Sequence, residues 1–175
     1  MSTYVLIEKY TVGAGGVSSV TLGSGGTLPQ TFTDLKIVAS IRSDYSSTNN
    51  FLKLTVNGNT TSLSNRFIYF FNTTVNSTSY GSPYNSICGT INGATSTSNT
   101  FSNFEMYAPN YTSSNYKSFS IESLTENNAA SQGESWMNAM LWSNTSAITS
   151  LQFSPYYGTL FNQYSTFYLY GILKA

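Results

Sequence analysis

Apolar and polar positions alternate with period two along most of the chain, the signature of half-buried strands rather than helices. In Asp34-Leu-Lys-Ile-Val-Ala-Ser-Ile-Arg-Ser43, the residues Leu35, Ile37, Ala39 and Ile41 share one face; Lys36, Ser40 and Arg42 take the other, with Val38 among them. Residues 51–56 alternate in the same way, with Leu52, Leu54 and Val56 inward, and Asn57-Gly58 follows at once. Both of those residues tolerate positive φ, so the pair predicts a tight hairpin turn. Further strands are predicted over 104–108, 118–124, 136–142, 148–153 and 166–173. Segments 4–10 and 17–22 read as an opening pair across the glycines of 13–16, and 4–10 and 166–173 as candidate free sheet edges. Helical periodicity is confined to a single turn around 127–133. Residues 72–100, full of Asn, Thr, Ser and Gly, carry the least pattern and read as long loops at one end of the molecule. About eight to ten short strands separated by turn residues predict an all-β fold. The expectation is one domain over residues 1–175, a two-sheet antiparallel sandwich of jelly-roll type.

Composition supports a core built on rings. A chain of 175 residues buries enough surface to fold without metal or disulfide staples, and 14 Tyr, 11 Phe and 2 Trp carry much of that area. Seven basic residues balance seven acidic ones, and only 8% of the chain is charged. With no basic stripe there is no electrostatic grip for nucleic acid or anionic lipid, and contacts made by such a surface should be insensitive to salt. No apolar run approaches the ~20 residues of a membrane span. The first residues lack the basic and apolar regions of a secretory leader, so synthesis in a cytoplasm is expected. Five Asn-x-Ser/Thr triplets begin at Asn59, Asn72, Asn76, Asn110 and Asn144; in so Asn/Thr-rich a chain they read as chance.

Catalytic chemistry has little to work with. Histidine is absent, which removes the commonest general base and zinc ligand and makes Ser-His-Asp and Cys-His arrangements impossible. The sole cysteine, Cys88 in Ser86-Ile-Cys-Gly-Thr90, reads as a buried small residue on a strand. A glycosidase needs only two carboxylates, so Glu8, Asp34, Asp44, Glu105, Glu122, Glu126 and Glu134 are weighed; Glu105 and Glu122 fall in the solvent-facing phase of their strands, opposite to Phe104/Met106 and Phe119/Ile121. Asp34 reads as a turn cap. The glycine clusters at 13–16 and 24–26 lack the Lys-Ser/Thr of a phosphate loop and read as turns. The expectation is a non-enzyme with no catalytic residue, cofactor or resident metal.

The aromatics are the informative residues. Trp136 and Trp142 share a strand face with Met140; Tyr168 and Tyr170 share one opposite to Phe167 and Leu169; Tyr156 and Tyr157 follow Pro155; Tyr107, Tyr111 and Tyr116 surround Pro109. One small sandwich does not need so many rings inside. Trp136, Trp142, Tyr107, Tyr111, Tyr156, Tyr157, Tyr168 and Tyr170 are therefore interface candidates, with core packing the alternative for any that point inward.

Several blocks carry a resemblance: Pro29-Gln-Thr-Phe-Thr-Asp-Leu-Lys-Ile-Val-Ala-Ser-Ile-Arg-Ser-Asp44, Ile91-Asn-Gly-Ala-Thr-Ser-Thr-Ser-Asn-Thr-Phe101, Met106-Tyr-Ala-Pro-Asn-Tyr111 with Glu126-Asn-Asn128, Leu141-Trp-Ser-Asn-Thr-Ser-Ala-Ile-Thr-Ser150 and Ser165-Thr-Phe-Tyr-Leu-Tyr-Gly-Ile172. They run in order through nearly the whole chain. In them the chain resembles small β-sandwich virion proteins of tailed bacteriophages, particularly cyanophages and other marine phages. The resemblance implies a virion structural protein, most simply a capsid decoration (cement) protein bound outside the head and stabilising the shell. The alternative is a tail-fibre or tail-knob component acting as a host-glycan adhesin. Implied partners are the major capsid protein, further copies of the chain as a homotrimer at a lattice threefold, and other virion proteins or host surface glycans; the implied place is the virion surface. No catalytic motif comes with the resemblance. The Asn/Thr-rich stretch 72–82 is where partner specificity is expected.

Overall fold

The structure is a computed structural model that describes residues 3–23, 27–126, 128 and 133–173. Among these the alternating segments form β1 (Thr3–Thr11), β2 (Val20–Leu22), β3 (Asp34–Ile41), β4 (Asn49–Val56), β5 (Leu63–Phe71), β6 (Thr74–Thr78), β7 (Ile87–Asn92), β8 (Ser102–Ala108), β9 (Lys117–Thr125), β10 (Glu134–Trp142), β11 (Leu151–Pro155) and β12 (Thr166–Leu173), with a short 3-10 turn at Tyr84–Ser86. Two antiparallel sheets pack as a sandwich, one ordered β1-β12-β3-β8-β9-β10-β5-β6 and the other β2-β11-β4-β7.

The jelly roll lies inside this order. Strands β1-β12-β3-β8 and β2-β11-β4-β7 are its two four-stranded sets, and the chain crosses between them as that fold requires; β7 packs over β8, β9 and β10. Two hairpin insertions extend those eight strands to twelve; β9 and β10 are among the expected strands, whereas β5, β6 and β7 are not. The pair β5–β6 enters between β4 and β7, the pair β9–β10 between β8 and β11, and all four lengthen one sheet to eight strands.

Several local expectations are corrected. β1 pairs with β12 and β2 with β11, so the first two segments lie in different sheets rather than pairing with each other. β12 sits between β1 and β3 and is no edge. Asn57 and Gly58 adopt φ of 49° and 73° as a tight turn demands, yet only Val56 and Asn59 pair across it. The Asn57 carboxamide instead accepts hydrogen bonds from the backbone N–H groups of Thr149 and Ser150, and β5 leaves for the other sheet. The supposed loops at 72–100 hold β6, the 3-10 turn and β7. β7 is buried at every position, so it shows no alternation. The helical turn at 127–133 and the glycine turn at 24–26 fall largely outside the described residues.

Between the sheets, Ile37, Leu54, Phe104, Met106, Phe119, Phe153, Phe161, Phe167 and Leu169 belong to the main core, each worth about 1.5–3 kcal/mol on full burial. Gly171 supports it by absence: a Cβ there would collide with the Phe32 ring, which occupies that space. Phe67, Ile87 and Trp136 form a second cluster at the start of β7, with Phe51, Tyr69, Tyr80 and Tyr156 packed against it.

Charged side chains act as staples. Arg42 is buried and donates to the carbonyls of Ala94, Ser96, Thr97 and Thr100. Lys117 is buried, donates to the carbonyl of Ser146 and lies 5.2 Å from the Trp142 ring centroid. Asp34 accepts from the Asn110 backbone N–H and the Tyr107 hydroxyl, both at 2.8 Å. It ties the end of β8 to the start of β3, across the fold rather than within one turn.

Candidate interaction surface

Because strand pairs fix which side chains stand together, the register maps the outer face of the eight-stranded sheet row by row. One row reads Leu124, Ser135, Phe70, Val75, and the next Glu105, Glu122, Met137, Ile68, Ser77. The alternation predicts polar residues on this side. Instead Ile68 is 57% exposed, Met137 63% and Val75 72%, with Phe70, Leu124 and Leu141 exposed beside them. Small residues at Ser120 and Ala139 hollow the sheet between Arg66, Glu122, Met137 and Ile68, leaving a shallow cavity of about 710 Å³.

Toward β1 the same face turns aromatic. Tyr168 and Tyr170 stand outward, their rings 6.5 Å apart and nearly parallel, with Lys9 Nζ 5.5 Å from the Tyr168 ring centroid. Tyr4 is exposed under Lys36, 5.9 Å from its ring centroid, and Tyr107 shares the row of Tyr170 and Lys36. Lys36 pairs with Glu105; the hydrogen bond it donates to that carboxylate holds the ammonium pKa above its ordinary value.

Of the eight aromatic interface candidates, the structure brings Tyr107, Tyr168 and Tyr170 together here and sends Tyr156 and Tyr157 to the opposite side of the sandwich. Trp136, Trp142 and Tyr111 lie in the interior, at 3%, 1% and 0% exposure, because they occupy the inward phase or, for Tyr111, a loop whose hydroxyl donates to the Pro29 carbonyl. They offer a partner no surface. Sequence reasoning missed Ile68, Phe70, Val75, Leu124 and Met137. The signal was present for β5, whose residues 67–71 are apolar on both faces in succession, a pattern that leaves apolar side chains outward wherever one side of the strand is open.

Glu105 and Glu122 stand directly opposite each other on β8 and β9. Both are exposed on an open sheet, and Glu105 is already paired to Lys36. Such a pair lacks the desolvated cleft that separates an acid from a base. Cys88 is buried, its thiol donates to the Leu52 carbonyl at 3.3 Å, and burial pushes its pKa far up. It is therefore unreactive. Among the described residues no three His, Cys, Asp or Glu side chains gather as metal ligands, and no helix is long and apolar enough to cross a membrane. Comparison with protein-family models, curated proteins and solved structures yields no match to this chain.

Proposed function

We propose that this chain is a structural protein of a tailed-bacteriophage particle, a decoration protein held on the outside of the head by the open face of its eight-stranded sheet. The observation that carries the reading is the joint exposure of Ile68, Phe70, Val75, Leu124 and Met137 on that face, since monomers rarely leave such a patch bare. Eight strands of about eight residues each, at ~4.8 Å spacing and ~3.3 Å rise, give a face of roughly 1,000 Å², more than the roughly 800 Å² one partner contributes to a stable interface. The block-by-block resemblance supplies the particle. The major capsid protein is the partner for this face, and the free edge of β1, the last strand on its side of the sheet, is a place for copies of the chain to meet in a trimer. A small domain spanning several shell subunits stabilises the assembled state by mass action. A tail-fibre or knob position is the second reading, favoured by the exposed tyrosines on the other side of the molecule.

Quantifying the protein in purified particles separates the two readings. Many copies spread over the head are expected; a handful at the tail would replace the decoration reading with the second one. Absence from particles would overturn both.

A further inference from the structure

On the side facing away from that sheet, aromatic rings form one continuous ladder from the interior to the surface. Phe67 stacks on Trp136 at 4.5 Å between centroids, Trp136 meets Phe51 at 5.4 Å, and Phe51 meets Tyr157 at 6.0 Å. Tyr157 then contacts Tyr45 at 5.1 Å and Tyr156 at 4.9 Å, and Tyr156 contacts Tyr84 at 5.4 Å. Tyr84 and Tyr157 are 40% and 38% exposed. A cavity of about 420 Å³ opens beside them, lined by Lys53, Thr60, Ser86 and Ser154 between Pro83 and Tyr156. Its floor continues along the outer face of the four-stranded sheet as a polar track, Ser154 opposite Lys53 and Gln152 between Thr21 and Thr55.

The geometry points to a carbohydrate-binding site at Tyr84, Tyr156, Tyr157 and Lys53, taking a pyranose oligosaccharide. A pyranose presents an apolar C–H face and a rim of hydroxyls. Tyrosine rings match the first by dispersion and burial, and the hydroxyl and ammonium groups of Ser154, Thr60 and Lys53 match the second. Pro83 and Pro155 are the aliphatic residues of the lining, set among Lys53, Thr60, Ser86 and Ser154, so it offers a shallow ring-and-hydroxyl surface rather than an apolar slot for an acyl chain. The rings are wedged against one another and, through Phe51, against buried Trp136, which keeps the ordering cost of binding low. Lys53 is the one charged residue in that lining, so uronic sugars fit beside neutral ones. These are the tyrosines that favour the second reading, but the site rests on ring geometry and lining and holds for either placement.

Titration of the intact protein with cellohexaose, chitohexaose and hexagalacturonate, followed by calorimetry and amide NMR shifts, tests the proposal. At least one of the three is expected to bind at about millimolar affinity or tighter, with shifts centred on Tyr84, Tyr156 and Tyr157. Tyr84→Ala and Tyr157→Ala should each weaken binding about tenfold, while Phe70→Asp on the far sheet leaves it within about twofold. If hexagalacturonate is the ligand, Lys53→Met and high salt weaken it; a neutral hexamer ignores salt. No binding of any of the three, or binding that Tyr84→Ala and Tyr157→Ala leave intact, overturns the site. Neither result bears on the copy number in particles, so this inference and the decoration reading fail separately.

Discussion

The guanidinium of Arg42 sits among the carbonyls of Ala94, Ser96, Thr97 and Thr100 and forms no salt bridge among the described residues. It organises the loop between β7 and β8 through a fork of donors, which an ammonium cannot copy. Arg42→Lys is expected to cost about 2–3 kcal/mol in urea unfolding, because carbonyls on one side of the fork lose their donor in a buried place. Glu134 is buried in the same manner, accepting from Thr90 Oγ1 at 2.7 Å and from Asn49. Burial raises its pKa above the ordinary 4.5 and outweighs those hydrogen bonds. The folded state therefore holds this proton to higher pH than the unfolded chain does. Stability contributed by the group is whole below 4.5 and falls as pH rises through the folded pKa. Glu134→Gln should abolish that fall and raise the melting temperature at neutral pH, read from melting curves across pH. At this scale the sequence was partly legible: Cys88 was read as buried, and is. The partners of Arg42, Asp34 and Glu134 were not legible, because they lie tens of residues away along the chain and polar loops advertise no register.

The insertion strands β5, β6, β9 and β10 turn a compact jelly roll into a sandwich with one oversized sheet. Their inward side would be bare past β7 without the second aromatic cluster, where Trp136 stacks on Phe67 and leans on Phe51 and Tyr69. Trp136→Ala is expected to destabilise the protein by about 3–5 kcal/mol, measured by denaturant unfolding, and to broaden the tyrosine signals of the surface ladder. Trp142→Ala should cost a similar amount while leaving that ladder intact, since Trp142 belongs to the main core. Strands β3, β4, β8, β9, β10 and β12 were readable because each buries one face only, giving clean alternation. β7 was hidden by burial on both sides, and β5 by Asn65 turned inward, where its carboxamide donates to the Ile87 carbonyl and accepts from the Tyr80 N–H. Pairing across long crossovers, such as β10 with β5, leaves no local trace.

At the scale of the whole molecule the charge count acquires a sharper meaning. Fourteen charged residues are few, and Asp34, Arg42, Lys117 and Glu134 are spent inside. The large sheet presents Ile68, Phe70, Met137 and Val75 beside a small set of charges, Lys36 with Glu105 and Arg66 with Glu122 nearby. An interface built on such a face draws its free energy from apolar burial, which salt does not screen. The neutral balance was plain in the composition, whereas the apolar face was not, because period-two reasoning assigns outward positions to solvent. The most direct measurement is rebinding of purified protein to particles stripped of it, at low and at high ionic strength, for the wild type and for Phe70→Asp and Met137→Asp. Both substitutions are at exposed positions and should leave stability within about 0.5 kcal/mol. The expected result is equal wild-type occupancy at both salt levels and loss of binding for both variants. Release of the wild type by salt alone, or full occupancy by the two variants, would contradict attachment through this face.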